Sequence, residues 1–219
     1  MSASNNPPHG LKAAIVQVTP FQQNCLLIWD DETKAGAIVD PGGDLDHIAD
    51  ALQQVGFTPE KIILTHGHID HAGGAKDLKE KLGVPIEGPH IADKFLLDNL
   101  EKQGASYGIP ARNVIPDRWL EDGDRVTIGR FTFDIRHCPG HSPGSVVLLN
   151  AAQKFAIVGD VLFRGSIGRT DFPYGDHAAL ITAIKSKLLV LGDDWAFACG
   201  HGPGSTIGLE RRTNPFLQE

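Results

Sequence analysis

One stretch of six residues, His66-Gly-His68-Ile-Asp70-His71, constrains this chain more than any other segment. It holds three imidazoles and one carboxylate, and it directly follows the apolar run of residues 62–64. Such a run predicts a buried strand, and loops at strand ends are where open α/β sheets place ligand sites. Imidazole nitrogen and carboxylate oxygen are ligands for zinc, iron and manganese. The stretch therefore predicts a metal-binding loop at a strand end.

The composition predicts one globular domain without a nucleic-acid or membrane partner. The chain has 219 residues, is 41% hydrophobic and carries a net charge of −7. An acidic balance disfavours phosphate-rich partners, and no apolar run approaches the roughly 20 residues that span a bilayer. Residues 1–10 lack the apolar core of a secretory signal, so we expect a flexible leader and a single domain over residues 11–219. Three widely spaced cysteines predict buried thiols and a cytoplasmic location.

The apolar periodicity predicts two successive sets of strands and helices. In the first set, we expect strands at residues 11–18, 24–29, 36–39, 61–65 and 84–87, and helices at 45–55, 75–82 and 90–103, the last a long surface helix. In the second set, we expect strands at 125–128, 131–138, 145–149, 154–158 and 195–199, and helices at 177–191 and 208–213. Strands followed by crossover helices in each set favour a sheet-on-sheet core with helices on both sides.

Three further candidate ligands follow later strands, and each comes directly after a glycine. They are His141, Asp160 and His201. A glycine lets the backbone turn sharply and approach an ion closely. Four strand ends are therefore expected to converge on one edge of the sandwich.

The spacing divides these candidates between two ions. Residues two apart in an extended loop point the same way, so the first two histidines of the cluster can chelate one ion. The first set is His66, His68 and His141. The second set is Asp70, His71 and His201. A carboxylate has two oxygens, so Asp160 can bridge both ions, which would lie about 3.5–4 Å apart.

These motifs resemble, in order, those of the metallo-β-lactamase superfamily. They are Thr65-His-Gly-His-Ile-Asp-His71, Gly140-His141-Ser-Pro-Gly144, Gly159-Asp160 and Gly200-His201. The resemblance implies an α/β fold, the αββα four-layer sandwich of the metallo-β-lactamase type, with all seven ligand positions occupied. The metallo-β-lactamases proper carry a cysteine in place of Asp160 and are secreted, so we do not expect β-lactam hydrolysis.

Within the superfamily, the chain is most similar to type II glyoxalases (hydroxyacylglutathione hydrolases) of the short bacterial branch. Residues 161–173, 200–206 and 210–215 carry this likeness. It implies two divalent metal ions, with zinc favoured over iron or manganese, and hydrolysis of glutathione thioesters such as S-lactoylglutathione. Hydroxide on the metals would attack the thioester carbonyl, with Asp70 as the catalytic residue that orients it. Larger glyoxalases carry a C-terminal helical domain with basic glutathione contacts, which this chain lacks, so we expect weaker glutathione recognition.

Several alternatives remain at this stage. Arg169 is expected either to bind a substrate carboxylate, as a basic residue does in longer glyoxalases, or to pair with Asp171. Asp40 is expected either to accept a hydrogen bond from a ligand histidine or to cap a turn. The chain also resembles persulfide dioxygenases, which would use one iron on two histidines and an aspartate, here His66, His141 and Asp160. A lactone or other acyl-thioester hydrolase and a non-catalytic metal-binding protein complete the alternatives, and the oligomeric state is open.

Overall fold

A computed structural model describes residues 10–218 and places thirteen strands in this part of the chain. The predicted leader, except for Gly10, lies outside the described residues, as does residue 219. The strands are β1 Leu11–Val18, β2 Gln23–Asp30, β3 Ala35–Val39, β4 Thr58–Ile63, β5 Ile86–Glu87, β6 Arg125–Ile128, β7 Phe131–His137, β8 Val146–Asn150, β9 Phe155–Ile157, β10 Leu162–Phe163, β11 Ser166–Ile167, β12 Ala196–Ala198 and β13 Ser205–Thr206.

Seven α-helices and three shorter helical turns connect these strands within the described residues. The α-helices are α1 Leu45–Val55, α2 Ile69–Ala72, α3 Ala75–Leu82, α4 Lys94–Leu97, α5 Leu100–Tyr107, α6 His177–Ala183 and α7 Ile207–Thr213. The turns are 3-10 helices at Ile91–Asp93 and Pro215–Leu217 and a π-helical turn at Ile184–Leu188, which continues α6. No helix in residues 10–218 is both long and apolar enough to cross a membrane.

Two sheets form the centre of the molecule. The first has the order β1-β2-β3-β4-β5, and the second has the order β13-β12-β9-β8-β7-β6. Strands β3, β4 and β5 run parallel, as do β9 and β12, so their carboxyl ends open at the same edge of each sheet. Strands β10 and β11 form a separate small hairpin directly after β9.

The alternation of side chains along β2 shows how the layers are built. Leu26 and Ile28 face the second sheet, in the core between the two sheets. Cys25 and Leu27 point the other way, into a core shared with α1, α3 and α5. A third core lies between the second sheet and helices α6 and α7. The order of layers is helix, sheet, sheet, helix, which confirms the predicted αββα sandwich.

The prediction of one long surface helix at residues 90–103 is wrong. This segment is a 3-10 turn followed by α4 and α5, and α5 continues to Tyr107. The break occurs where the side chain of Asp93 turns inward, because this carboxyl group is fully buried and accepts hydrogen bonds from distant loops. The predicted strand at 61–65 also ends early, since the amide of Thr65 donates to Asp40 and not to a neighbouring strand.

Candidate metal centre

The predicted ligands come together because four strand ends open at one edge of the sandwich. His66 and His68 lie in the loop after β4, and α2 follows with the next two candidates. His141 lies between β7 and β8, Asp160 follows β9 and His201 follows β12. Gly200 is needed at this convergence, because a Cβ there would lie 2.1 Å from an oxygen of Asp160.

The first set, His66, His68 and His141, forms a compact trio of buried imidazoles. The Nδ1 atom of His68 lies 3.0 Å from Nε2 of His66 and 3.0 Å from Nε2 of His141. All three nitrogens thus point to a common centre. Three imidazole nitrogens facing one point are a common ligand set for a divalent cation.

The second set, Asp70, His71 and His201, lies beside the first. Oδ2 of Asp70 lies 3.2 Å from Nε2 of His201 and 3.8 Å from Nε2 of His71. Asp160 stands between the sets: Oδ1 is 3.3 Å from Nε2 of His71, and Oδ2 is 3.5 Å from Nε2 of both His201 and His141. The side chains thus gather in the two groups that the spacing indicated, and their role as metal ligands stays a prediction.

The outward nitrogens of these rings donate to fixed acceptors. Nδ1 of His141 donates to the backbone carbonyl of Arg169 over 2.9 Å, and Nδ1 of His71 donates to Oδ2 of Asp40 over 2.9 Å. A proton held on the outer nitrogen leaves the inner nitrogen of a neutral imidazole with a free lone pair. The surrounding structure therefore orients both rings so that the inner nitrogen faces the predicted metal position.

Asp40 is the centre of the buried network behind the ligands. Its Oδ1 accepts from the amide of Thr65 over 2.7 Å, and its Oδ2 accepts from the Thr65 hydroxyl over 2.6 Å. The hydroxyl oxygen of Thr65 lies 3.2 Å from Nδ1 of His66 and accepts a hydrogen bond from it. Asp40 comes within 4.8 Å of His66 and His71 nitrogens. Both of its oxygens already have donors, and one of them accepts from His71, a predicted ligand, which is one of the two contacts expected for Asp40.

Asp93 ties two ligand loops together, and the sequence analysis missed it. Its Oδ2 accepts from the amide of Gly67 over 2.8 Å and from the hydroxyl of Ser142 over 2.7 Å, while its Oδ1 accepts from the amide of Gly144 over 2.6 Å. Burial raises the pKa of Asp93 to about 6. No local pattern distinguishes this residue, because a single acid in a segment with helical spacing reads as a surface position.

Burial keeps the first set of imidazoles neutral. Desolvation lowers the pKa of His68 to about 3, and it also lowers the pKa values of His66 and His141. The neighbouring rings lower the pKa of His66 further by charge repulsion. Neutral imidazole is the form that binds a metal ion.

Carboxylates dominate the second set. Desolvation lowers the pKa of His71, but the carboxylates of Asp160, Asp70 and Asp40 outweigh it and raise that pKa well above 6.5. Burial raises the pKa of Asp160, but the facing imidazoles, His71 first, outweigh it and hold that pKa below its usual range. No lysine or arginine of residues 10–218 pairs with Asp70 or Asp160. This half of the site is therefore built to attract positive charge.

Two buried polar atoms without hydrogen-bond partners show whether the side chains fit a metal ion. Nε2 of His71 and Oδ1 of Asp160 are buried without a hydrogen-bond partner, although they lie 3.3 Å apart. An unpaired buried polar group costs about 1–3 kcal/mol. A divalent cation binds both imidazole nitrogen and carboxylate oxygen, so it would satisfy both atoms. The donor set therefore fits a divalent metal.

A cavity of about 740 Å³ opens over the cluster, within the usual range for small-molecule sites. Five of the candidate ligands line it, and most of its remaining wall is apolar or aromatic. The aromatic lining residues are Phe21, Tyr107, Phe163, Phe172 and Tyr174. Tyr174 places its hydroxyl 2.8 Å from Nε2 of His68, and burial raises the pKa of Tyr174 to about 12.

Arg169 lines the same cavity but is already paired. Its Nε and Nη2 donate to the two carboxylate oxygens of Asp171 over 2.7 and 2.6 Å, and its guanidinium lies 4.5 Å from the ring centre of Phe172. This is the internal ion pair that the sequence offered as one alternative. A substrate contact of Arg169 stays a prediction.

Comparison with known proteins identifies similar chains. Residues 18–201 match the sequence profile of the metallo-beta-lactamase superfamily. Hydroxyacylglutathione hydrolase GloC of Haemophilus influenzae is 47% identical over 93% of this chain and 96% of its own length. The crystal structure of BLEG-1 B3 metallo-beta-lactamase is 37% identical, with a TM-score of 0.86 over 94% of this chain and all of that chain. The crystal structure of TTHA1623 in a di-iron-bound form is 38% identical, with a TM-score of 0.84 over 93% and 100% of the two chains.

Proposed function

The chain belongs to the metallo-beta-lactamase superfamily as a metal-dependent hydrolase, and on that premise we propose that it uses two divalent ions to cleave glutathione thioesters. S-lactoylglutathione is the first substrate to test. The observation that carries the proposal is the pair of side-chain groups at one edge of the sandwich, with Asp160 between them. We further propose that residues 11–219 act as a single catalytic domain.

In this proposal, the trio of His66, His68 and His141 binds one ion and the set of Asp70, His71 and His201 binds the other. Asp160, which lies between the two sets, would be a ligand shared by both ions. When bound, the ions would polarise a carbonyl oxygen and lower the pKa of water toward about 7. Zinc is our first choice for both positions, and iron or manganese suits the same donors. The di-iron form of TTHA1623 supports iron as an alternative.

Asp70 acts as the catalytic residue among this chain's own groups. Its Oδ2 is held toward Nε2 of His201 at 3.2 Å, and its side chain lines the cavity. There the carboxylate accepts a hydrogen bond from the attacking water and orients its lone pair toward the thioester carbonyl.

The leaving group needs little help from the protein. A thiolate departs with a pKa near 8.5, so a thioester can be cleaved near neutral pH without a dedicated general acid. Tyr174 is the one phenol beside the ligands in the described cavity wall, and its pKa of about 12 makes it a poor acid for this purpose. The site thus suits a thioester better than an amide, whose amine must be protonated as it leaves.

Glutathione as the thiol follows from the 47% identical hydrolase of Haemophilus influenzae. The cavity itself offers Arg169 as its one lysine or arginine among residues 10–218, and this side chain is bound to Asp171. We therefore expect glutathione to bind weakly, chiefly through apolar and hydrogen-bonding contacts. A persulfide dioxygenase would need only His66, His141 and Asp160, and the complete second set favours the hydrolase.

The test combines metal analysis with a substrate panel. We expect about two ions per chain and cleavage of S-lactoylglutathione with the highest kcat/KM in a panel that includes another acyl thioester, a lactone and a β-lactam. Asp70→Ala should lower kcat by about 100-fold or more, since it removes a metal ligand and the group that orients water. Asp46→Ala, at a fully exposed position of α1, is the matched control and should keep full activity.

Three results would contradict the proposal. One iron per chain with thiol-dependent oxygen uptake would assign the dioxygenase reaction instead. Full activity in Asp70→Ala would rule out the two-metal scheme, and a higher kcat/KM for the lactone or the β-lactam would assign a different substrate class.

A further inference from the structure

The segment Glu210-Arg-Arg-Thr-Asn-Pro215 has no part in the chemistry proposed above. It begins in α7 and runs into the final 3-10 turn. Glu210 and Asn214 lie one helical turn apart and are both fully buried, although carboxyl and amide side chains are usually exposed. Buried polar groups are retained only where they are hydrogen-bonded, so their partners indicate what this pair does.

Glu210 joins two parts of the chain that leave the metal centre. Its Oε2 accepts from the amide of Gly165 over 2.7 Å, at the tip of the β10–β11 hairpin. Its Oε1 accepts from the hydroxyl of Ser205, which lies four residues after His201. One carboxyl group thus contacts both the hairpin and the loop of a predicted ligand.

Asn214 completes this contact with the hairpin. Its Nδ2 donates to the carbonyl of Ser166 over 2.9 Å and to Oε2 of Glu210 over 2.9 Å, and it lies 3.5 Å from the carbonyl of Phe163. Its Oδ1 accepts from the amide of Phe216 and so begins the last helical turn. The hairpin is therefore bound on both of its strands and at its tip.

The hairpin is a wall of the substrate cavity. Phe163, Ser166 and Ile167 all line that cavity, and the ring of Phe163 lies 6.2 Å from the ring of His201. The two strands pair over only two residues each, through Leu162 and Ile167 and through Phe163 and Ser166. A ladder this short has little stability of its own, so its position depends on the side chains behind it.

We propose that Glu210 and Asn214 are positioning residues that hold the β10–β11 hairpin as a specificity wall. They contact neither the reacting atoms nor the predicted ligands. The wall would contact the part of a thioester that is remote from the carbonyl, and the pair would therefore discriminate large thioesters from small ones. This inference rests on the thioester hydrolysis proposed above.

Three variants and one control test the proposal. Glu210→Leu removes both acceptor oxygens and replaces them with a side chain of similar volume. Glu210→Gln keeps an amide oxygen that can accept from Gly165 and an amide nitrogen that can donate to the hydroxyl of Ser205. Asn214→Ser keeps an acceptor for the last helical turn but is too short to reach the hairpin. Arg212→Gln is the control, because Arg212 lies on the same helix, is exposed and pairs only with Asp193 in the described structure.

The readout compares two thioesters with one acyl group, S-lactoylglutathione and the lactoyl thioester of N-acetylcysteamine. In Glu210→Leu and Asn214→Ser, we expect KM for the glutathione thioester to rise about tenfold, while kcat stays within about threefold of the wild-type value. The small thioester should be hydrolysed at nearly the wild-type kcat/KM. Glu210→Gln and Arg212→Gln should resemble wild type, and metal content should be unchanged throughout.

Parallel loss of kcat/KM for both thioesters would overturn the proposal, because general damage does not distinguish substrate size. Unchanged kinetics in all variants would overturn it as well. Amide hydrogen exchange of residues 162–168 gives a readout that is independent of activity. We expect faster exchange in Glu210→Leu and Asn214→Ser than in wild type and Arg212→Gln, and equal exchange would refute the positioning role.

These measurements separate this inference from the proposed function. If the wild-type protein cleaves neither thioester, the proposed function fails, and hydrogen exchange still decides whether the pair holds the hairpin. The same comparison of a large and a small substrate is then made within the class that the wild-type protein does cleave.

Discussion

A histidine that binds metal uses one ring nitrogen for the ion and the other for orientation. In this site, Nδ1 of His71 donates to Asp40 and Nδ1 of His141 donates to a backbone carbonyl, so the protein fixes the orientation of both rings and turns each Nε2 toward the predicted metal position. Asp40 also receives two hydrogen bonds from Thr65, which connects the orientation of His71 with the end of β4. A change at Asp40 should thus affect the metal through its ligand.

We expect Asp40→Ala to weaken metal binding by about 10–100-fold, the usual effect of losing the group that orients a ligand histidine. The imidazole of His71 would lose the acceptor that fixes its Nδ1 proton, and the amide of Thr65 would be left buried and unpaired. Metal affinity measured by competition with a chelator checks this. The control is Asp44→Ala, because Asp44 has a positive φ like Asp40 and its side chain accepts an exposed hydrogen bond from the amide of Thr19, away from the predicted ligands. Equal affinity in wild type and Asp40→Ala would contradict the orienting role.

At the scale of single residues, the sequence predicted a functional role more readily for residues that lie close together along the chain than for a residue that joins the site from a distant position. The cluster of residues 66–71 is recognisable because its spacing alone places four donors in one loop. Asp93 contacts that loop from 26 positions away, through the amide of Gly67. A contact between one acid and a distant backbone amide leaves no periodicity or spacing, so only the fold reveals it.

Among the elements, the two sheets are joined at the end of β2 by a polar contact. Asp30 ends β2, and its buried carboxylate accepts from Nε and Nη2 of Arg130 in the turn between β6 and β7, over 2.7 and 3.1 Å. The hydrogen bonds from Arg130 hold the pKa of Asp30 well below its usual range. This contact fixes the β6–β7 hairpin against the first sheet.

We expect Asp30→Asn to lower the free energy of unfolding by about 2 kcal/mol at pH 7, since a charge-assisted contact is lost. The pKa of Asp30 is lower in the folded state, so its contribution is complete above about pH 4 and is lost as pH falls. Chemical denaturation of wild type and variant from pH 7 to pH 2 should show the difference shrinking. The control, Asp134→Ala, breaks an exposed pair with Arg125 and should cost less than about 1 kcal/mol. A difference that is constant with pH would contradict this account.

Element boundaries were predictable wherever a turn signal coincided with the end of an apolar pattern. Helix α1 spans Leu45–Val55 as predicted, and Gly56 ends it in the left-handed conformation, with a φ of 71°. The small hairpin of β10 and β11 was missed, because two-residue strands are too short to show alternation. The helix predicted at 90–103 failed for a different reason, since the inward turn of Asp93 overrides the helical spacing around it.

For the whole molecule, the position of the metal centre links the two halves of the fold. The loop after β4 belongs to the first sheet, while His141, Asp160 and His201 come from the second. Ions bound between them would therefore hold the two sheets together. The shared edge was predictable from the candidate ligands that follow four strand ends, but the order of the strands was not, because pairing between distant strands leaves no local signal.

Metal removal should consequently destabilise the whole protein. At a free metal concentration about 100-fold above Kd, one bound ion adds about 2.7 kcal/mol, which corresponds to a rise in Tm of roughly 5–10 °C for a domain of this size. We expect a chelator that removes both ions to lower Tm by at least this amount and zinc or iron to restore it, as measured by calorimetry. Asp160→Ala, which loses the shared carboxylate, should show a smaller shift. A Tm that does not respond to chelator or metal would count against the site.

One acceptor in the site is part of the main chain. Nδ1 of His141 donates to the carbonyl of residue 169, while the side chain of Arg169 turns outward to Asp171 and Phe172. Every amino acid supplies that carbonyl, so evolution is free to exchange the side chain at this position and keep the histidine in place. A substitution at residue 169 should therefore alter the entrance of the cavity and leave the hydrogen bond that orients His141 in place.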